Sequence, residues 1–267
     1  MALDMSKYAK MAKIERKLPI IFMINEKMIN TEDWEGGSFE AAICDIMKNL
    51  SHRSIEAVMS VVSFGDEIHL WSGFKEYEKY TEKEWPKTKT AGKSVFNIAL
   101  ELVKDMLEDI DTTPEGNYDP IVVLFSTDEV TPGYKNALNS FVKDGRFKNV
   151  QRIGIADLNG FRAYYRSAHY TYEPAEVVNK KAPKVLKEFA GEKVALFIDD
   201  DWNTSWCTNS EWHVTETKDD YTWFCPVLKM MELRYTENGQ QHISPICVDE
   251  GGKVAGTVFS MMETLGL

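Results

Sequence analysis

The sequence is poor in cysteine and has no long apolar run. Its 267 residues include only four cysteines and no Cys-x-x-Cys pair, so reduced thiols are expected rather than a disulfide framework. No apolar stretch approaches the roughly 20 residues that span a bilayer. The first residues, MALDMSKYAKMAKIERK, are charged and lack the apolar segment of a signal peptide. We therefore expect a cytoplasmic protein that does not bind a membrane.

Positive charges are fewer than negative ones. Lys and Arg number 31 against 42 Asp and Glu, which gives a net charge of −11. Binding to a phosphate backbone needs clustered Lys and Arg, so the composition argues against a nucleic-acid partner. Hydrophobic residues make up 43% and charged residues 27%, as in ordinary globular proteins.

The usual catalytic motifs are missing. The five histidines are scattered, and no Gly-x-Ser-x-Gly or His-Glu-x-x-His pattern occurs. Gly92-Lys93-Ser94 resembles the end of a phosphate-binding loop, but that loop needs a further glycine where Lys87 stands. The sequence therefore predicts that the protein is not an enzyme.

Strands and helices alternate over the first two thirds of the chain. This order predicts an α/β fold with a doubly wound, mostly parallel sheet, plus one antiparallel edge strand. Predicted strands are Pro19–Asn25, Ala57–Phe64, antiparallel Ile68–Trp71, Ile121–Phe125, Val150–Ala156 and His169–Tyr172. Four helices are predicted, three of them from their apolar faces. The first face is Phe39, Ala42, Ile43, Ile46, Met47 and Leu50, and the second is Val95, Ala99, Leu102, Val103, Met106, Leu107 and Ile110. A further helix is predicted at Tyr134–Lys143, and the last carries Val185, Leu186 and Phe189.

The pattern changes after Gly191. Residues 192–267 have a strand-like pattern, with predicted turns at Glu237-Asn238-Gly239 and Glu250-Gly251-Gly252. Four of the seven tryptophans fall in this segment, where large side chains are needed to fill a small core. We predict an α/β domain over residues 1–191 and a β-rich extension over residues 192–267.

Three polar segments are expected at the carboxyl edge of the parallel strands, where doubly wound sheets bind ligands. They are Asn25-Glu26-Lys27-Met28-Ile29, Gly92-Lys93-Ser94 and Ser126-Thr127-Asp128-Glu129. The second lies in AGKSVFNIALELV and the third in IVVLFSTDEV. Their order resembles the von Willebrand factor A (vWA) domain, whose metal-ion-dependent adhesion site uses Asp-x-Ser-x-Ser, a Thr and an Asp at these places. VQRIGIADLNGFRAYY and VLKEFAG fit the last third of that family, so the resemblance covers about residues 18–190.

The departures from the family's site indicate that the site is degenerate. Asn25 stands at the first Asp, Lys27 at the first Ser and Ile29 at the second; Ser94 replaces the Thr, and Asp128 matches. Mg²⁺ prefers hard oxygen ligands with at least one carboxylate, and a lysine ammonium would repel it. We expect no bound metal, with weak Mg²⁺ binding at Asp128 and Ser94 as the alternative. Our hypothesis is that Lys27 pairs with Asp128 in the metal's place; the alternative is that Lys27 points into water.

The resemblance also implies a function. It is greatest with bacterial cytosolic vWA proteins of the tellurite-resistance type, which the family associates with protein kinase and phosphatase partners in stress or defence complexes. We therefore expect a non-catalytic protein-binding or scaffold module. The alternative is a structural subunit of a larger assembly, such as a phage particle or secretion apparatus, that forms oligomers through residues 192–267.

Two further clusters are interpreted as structural. Related proteins often append a zinc-binding module, but the spacings of Cys207, His213, Cys225 and Cys247 are irregular and too long for one. In an extended chain the side chains of Asp199-Asp200-Asp201 would point to alternate faces and could not all bind one cation. We therefore interpret them as the solvated end of a strand.

Overall fold

The computed structural model describes residues 16–26, 36–76, 95–110, 117–126, 130–131, 133–157, 184–191, 193–197, 204–208, 211–215, 224–237 and 239–246. The main sheet contains β1 (Leu18–Asn25), β2 (Ala57–Phe64), β3 (Ile68–Glu76), β4 (Ile121–Phe125), β5 (Gln151–Asp157), β6 (Val194–Phe197), β7 (Thr204–Thr208) and β8 (Glu211–Thr215). The helices are α1 (Gly36–His52), α2 (Phe96–Glu108), α3 (Tyr134–Lys143), α4 (Lys184–Ala190) and α5 (Phe224–Met230), and a 3₁₀ turn spans Gly145–Phe147. A separate hairpin contains β9 (Glu232–Glu237) and β10 (Gln240–Pro245).

The main sheet is mostly parallel, as predicted. Its strand order is β3-β2-β1-β4-β5-β6-β7-β8. Strands β2, β1, β4, β5 and β6 run parallel, and β3 pairs antiparallel with β2 at one edge. At the other edge β7 and β8 add two more antiparallel strands, so the segment after Gly191 extends the same sheet. The predicted fold class is confirmed.

The sheet is covered on both faces, which explains the continuous apolar strands. In β1, Ile20, Phe22 and Ile24 face a core shared with α1 and α5, while Ile21 and Met23 face a second core shared with α2, α3 and α4. Successive strand residues point to opposite faces of the sheet. A strand buried on both faces is therefore apolar throughout, and does not alternate between apolar and polar residues.

The buried stripe of α2 differs from the predicted one. Phe96 and Leu100 are fully buried with Ala99, Val103 and Leu107. The predicted members Leu102, Met106 and Ile110 are only partly buried, at the margin of the same core. The helix begins at Phe96, whose ring lies 5.4 Å from that of Phe64 in β2. The predicted face therefore packs on this core, but the prediction omitted Phe96 and Leu100.

A close helix–strand approach depends on one glycine. A Cβ atom on Gly154 of β5 would lie 3.1 Å from Leu186 Cδ2 and 3.3 Å from Ala190 Cβ. The missing side chain therefore lets α4 pack directly on β5.

The C-terminal extension contains one helix that the strand-like sequence pattern did not predict. Helix α5 has only seven residues, and Val227 and Leu228 from it join the core beside α1. Pro226 lies in its first turn, where a missing N–H costs no helical hydrogen bond. Several predictions concern residues outside the described ranges: the strand at His169–Tyr172, the turn at 250–252, Asp199 to Asp201 and Cys247. Among the helices described, none is long and apolar enough to cross a membrane.

Candidate functional site at the carboxyl edge of the sheet

The strand order predicts a ligand crevice between β1 and β4. These two strands are parallel neighbours. The chain leaves β1 for β2 on one side, and leaves β4 for β5 on the other. In doubly wound sheets such a reversal separates the two loops beyond the strand ends and opens a crevice there.

Asn25 and Ser126 lie at this point and bond to each other. Both side chains are fully buried. The Asn25 Nδ2 donates a hydrogen bond of 3.2 Å to Ser126 Oγ, and the Ser126 N–H donates to the Ile155 carbonyl at 3.1 Å. The ends of β1, β4 and β5 are thus connected through neutral groups. Asn25 contributes an amide donor to this contact.

Glu26 follows Asn25 and bonds toward β2 and β3. It is a carboxylate with only 1% of its surface exposed. Ser63 Oγ donates a hydrogen bond of 2.7 Å to Glu26 Oε1, and Trp71 Nε1 donates one of 2.7 Å to Ser63 Oγ. His69 Nε2 lies 3.7 Å from the same Glu26 oxygen. Glu26 therefore bonds to β2 through Ser63, next to His69 and Trp71 of the edge strand β3.

The position of Trp71 depends on a β-bulge in that edge strand. Val62 pairs with Leu70 and Val61 pairs with Ser72, so Trp71 is the extra residue of the bulge. A bulge re-aims side chains locally. Here the residue at the bulge, Trp71, donates its indole N–H to Ser63.

The cluster has the residue types of a hydrolase triad without its connectivity. A nucleophilic serine must donate its proton to the histidine, and the carboxylate must orient that histidine from the far side. Here Ser63 donates to Glu26 directly, and Ser63 is fully buried. This arrangement positions Glu26 and does not activate Ser63.

The structure describes only one of the four predicted site residues. Asn25 lies at the carboxyl end of β1, as predicted. Lys27, Ser94 and Asp128 lie outside the described residues, so the pairing of Lys27 with Asp128 stays a prediction. Within the described ranges, no three His, Cys, Asp or Glu side chains come together as potential metal ligands.

The opposite, amino-terminal edge of the sheet is covered by the hairpin of β9 and β10. The Glu232 N–H donates to Gln151 Oε1 at 3.1 Å, and the Asp119 N–H donates to the Arg234 carbonyl at 2.7 Å. Lys193 Nζ donates to the Met230 carbonyl at 2.9 Å and to Glu232 Oε2 at 3.0 Å. These bonds fix the hairpin to the amino ends of β4 and β5 and to the residue before β6.

Burial and charge pairing shift the pKa values at this covered edge. Burial lowers the pKa of Lys193, against the opposing effect of Glu232. Burial acts to raise the pKa of Glu232, but hydrogen bonds from Lys193 and Arg234 outweigh it and the net pKa lies below the usual value. Burial raises the pKa of Asp119 despite nearby Arg234. The hydrogen bonds that Glu232 accepts from Lys193 and Arg234 stabilise the docked hairpin, whereas burial opposes the charged forms of Lys193 and Asp119. Because the hairpin covers the amino-terminal edge, the carboxyl edge is the candidate ligand site.

The fold and the crevice define an α/β protein with a doubly wound sheet. Solved vWA domains are among the structures to which the chain is similar. With the vWA domain of SpRpn10 it shares 15% identity and a TM-score of 0.41, over 62% of this chain and 95% of that one. With a von Willebrand factor type A protein from Catenulispora acidiphila it shares 12% identity and a TM-score of 0.43, over 69% and 39% of the two chains. With the ArnB paralog VWA2 from Sulfolobus acidocaldarius the values are 16% and 0.36, over 53% and 35%.

No protein-family model matches the sequence, and no curated protein matches it significantly. The assignment of the fold class therefore rests on the strand order and register described above.

Proposed function

We propose that the protein is a non-catalytic protein-binding or scaffold module that uses the carboxyl edge of a vWA-like sheet without a bound metal. The proposal includes a cytoplasmic location and membership of the bacterial tellurite-resistance type. Its partners would be protein kinase or phosphatase components of a stress or defence complex. These finer statements rest on the sequence resemblance.

The observation that carries the proposal is the bond between Asn25 and Ser126 at the β1–β4 crevice. A divalent cation there needs carboxylate or other oxygen ligands directed at it. The Asn25 Nδ2 donates to Ser126 Oγ, both side chains are buried, and neither group is a carboxylate. The nearest carboxylate along the chain, Glu26, is bonded to Ser63 and lies beside His69. The described residues of the edge therefore bond to one another.

In this proposal Lys27 supplies the positive charge that contacts a carboxylate of the partner. In a metal-bearing site a carboxylate of the partner completes the coordination of the cation. A Lys27 ammonium paired with Asp128 could bind the same carboxylate through a salt bridge. Such a contact is weaker than metal coordination and is screened by salt.

Capture from a bacterial lysate on the immobilised full chain tests the proposal, with and without EDTA. We expect capture that survives EDTA, weakens as salt rises and is reduced by Lys27→Glu. The matched control is Lys148→Glu, the same charge change at an exposed residue just before the amino end of β5. Capture that requires Mg²⁺, or that both variants reduce equally, would contradict metal-independent binding at this edge.

A further inference from the structure

The hairpin ends in an edge strand without the features that usually protect such edges. Charges and bulges normally prevent an edge strand from pairing with another chain. Strand β3 is bulged and ends in Lys75-Glu76, and β8 carries Glu211. Strand β10, with the sequence QQHISP, has no Asp, Glu, Lys or Arg, and its register with β9 is unbroken. Only Pro245, at its end, opposes pairing.

Successive residues of β10 direct their backbone N–H and C=O groups alternately toward β9 and away from it. The Ile246 N–H donates to the Met231 carbonyl, so Ser244, His242 and Gln240 also turn their backbone groups toward β9. The backbone groups of Gln241 and Ile243 then point outward. No hydrogen bond described for this part of the chain involves those outward groups.

The outer side of β9 is different, because its outward groups are bonded. The Arg234 carbonyl accepts from Asp119, and the Glu232 backbone N–H and carbonyl both bond to the Gln151 side chain. The hairpin is therefore fixed on its β9 side and presents β10 on the other. Ile243 lies on this strand with 55% of its surface exposed.

We propose that β10 pairs antiparallel with β10 of a second copy, across a two-fold axis at His242. In this register Gln241 faces Ile243 of the second copy, so every outward N–H meets an outward carbonyl. Four backbone hydrogen bonds form, and the two Ile243 side chains become diagonal neighbours. A second copy is the occupant that this strand fits, because its donors and acceptors are self-complementary about that axis.

The absence of charge on β10 supports the same occupant. Each chain carries a net charge of −11, so two copies repel each other at long range. An uncharged strand is where they approach at the lowest electrostatic cost, and salt should favour the dimer by screening the repulsion. Pairing of two short strands buries less than a standard interface, so we expect a weak dimer, with Kd on the order of micromolar or higher. This inference does not depend on the carboxyl-edge proposal.

Sedimentation velocity of the full chain, over a series of concentrations and at low and high salt, tests the proposal. We expect the mass to rise from 30.6 kDa toward twice that value, with more dimer at high salt. Ile243→Lys should stay monomeric because it puts like charges beside each other. Ile243→Pro should also stay monomeric because it deletes an outward N–H. Leu70→Lys, at an exposed leucine on the other edge strand β3, should dimerise as the unmodified chain does.

Circular dichroism melting of each variant separates loss of pairing from loss of folding. A folded Ile243→Lys variant that still dimerises would overturn the proposal. An unmodified chain that stays monomeric over the whole concentration series, or dimerisation that Leu70→Lys abolishes, would also overturn it.

Discussion

Leu124→Ala is expected to lower the free energy of unfolding by about 2–5 kcal/mol. Leu124 lies in β4, is fully buried, and faces the core shared with α2, α3 and α4. Truncation removes buried apolar contacts and leaves a cavity that a strand bonded on both sides cannot close by shifting. Urea unfolding followed by circular dichroism measures the change.

The matched control is Leu70→Ala, the same chemical change on the edge strand β3. Leu70 has 49% of its surface exposed, so its truncation should cost less than about 1 kcal/mol. Equal losses in the two variants would contradict the placement of β4 in the centre of the sheet.

Glu26→Ala is expected to destabilise the protein by about 1–3 kcal/mol, the cost of leaving a buried donor without its acceptor. Ser63 is fully buried and donates to Glu26 Oε1 while it accepts from Trp71. Without the carboxylate, the Ser63 hydroxyl loses its acceptor, and the start of the β1 loop loses its bond to β2. The measurement is the same urea titration.

Glu26→Gln separates the role of the acceptor from that of the charge. Glutamine keeps the volume and one carbonyl oxygen for Ser63, so the loss should be below about 1 kcal/mol. If Gln and Ala destabilise equally, the negative charge of Glu26, and not its hydrogen bond to Ser63, is what stabilises this edge.

The sheet was predictable from sequence because a strand that is buried on both faces appears as an unbroken run of apolar residues. An unbroken apolar run such as β1 or β4 can satisfy two cores only as an interior parallel strand. The side of a helix that packs is less predictable. In α2 the predicted face omitted Phe96, the first residue of the helix, and Leu100, although both are fully buried. Helix α5, at seven residues, is too short for periodicity to show.

The candidate site was predictable to the extent that it depends on strand ends. Asn25 was placed at the end of β1 because an apolar run stops there. The bonds of Glu26 were not predicted, because they depend on the register of β2 with β3 and on the bulge at Trp71. The available signal was local: a carboxylate directly after a buried strand must find a buried partner. Ser63, inside the next apolar strand, was such a partner.

Calorimetric titration of Mg²⁺ and of Mn²⁺ into the purified full chain, beside Asp128→Ala, tests the metal-free site most directly. We expect no binding heat for either ion in either protein, because Asn25 offers an amide where a carboxylate is needed and Lys27 brings a positive charge. Binding in the unmodified protein that disappears in Asp128→Ala would contradict it. The protein would then belong with metal-dependent adhesion modules, and Lys27 would have to point away from Asp128.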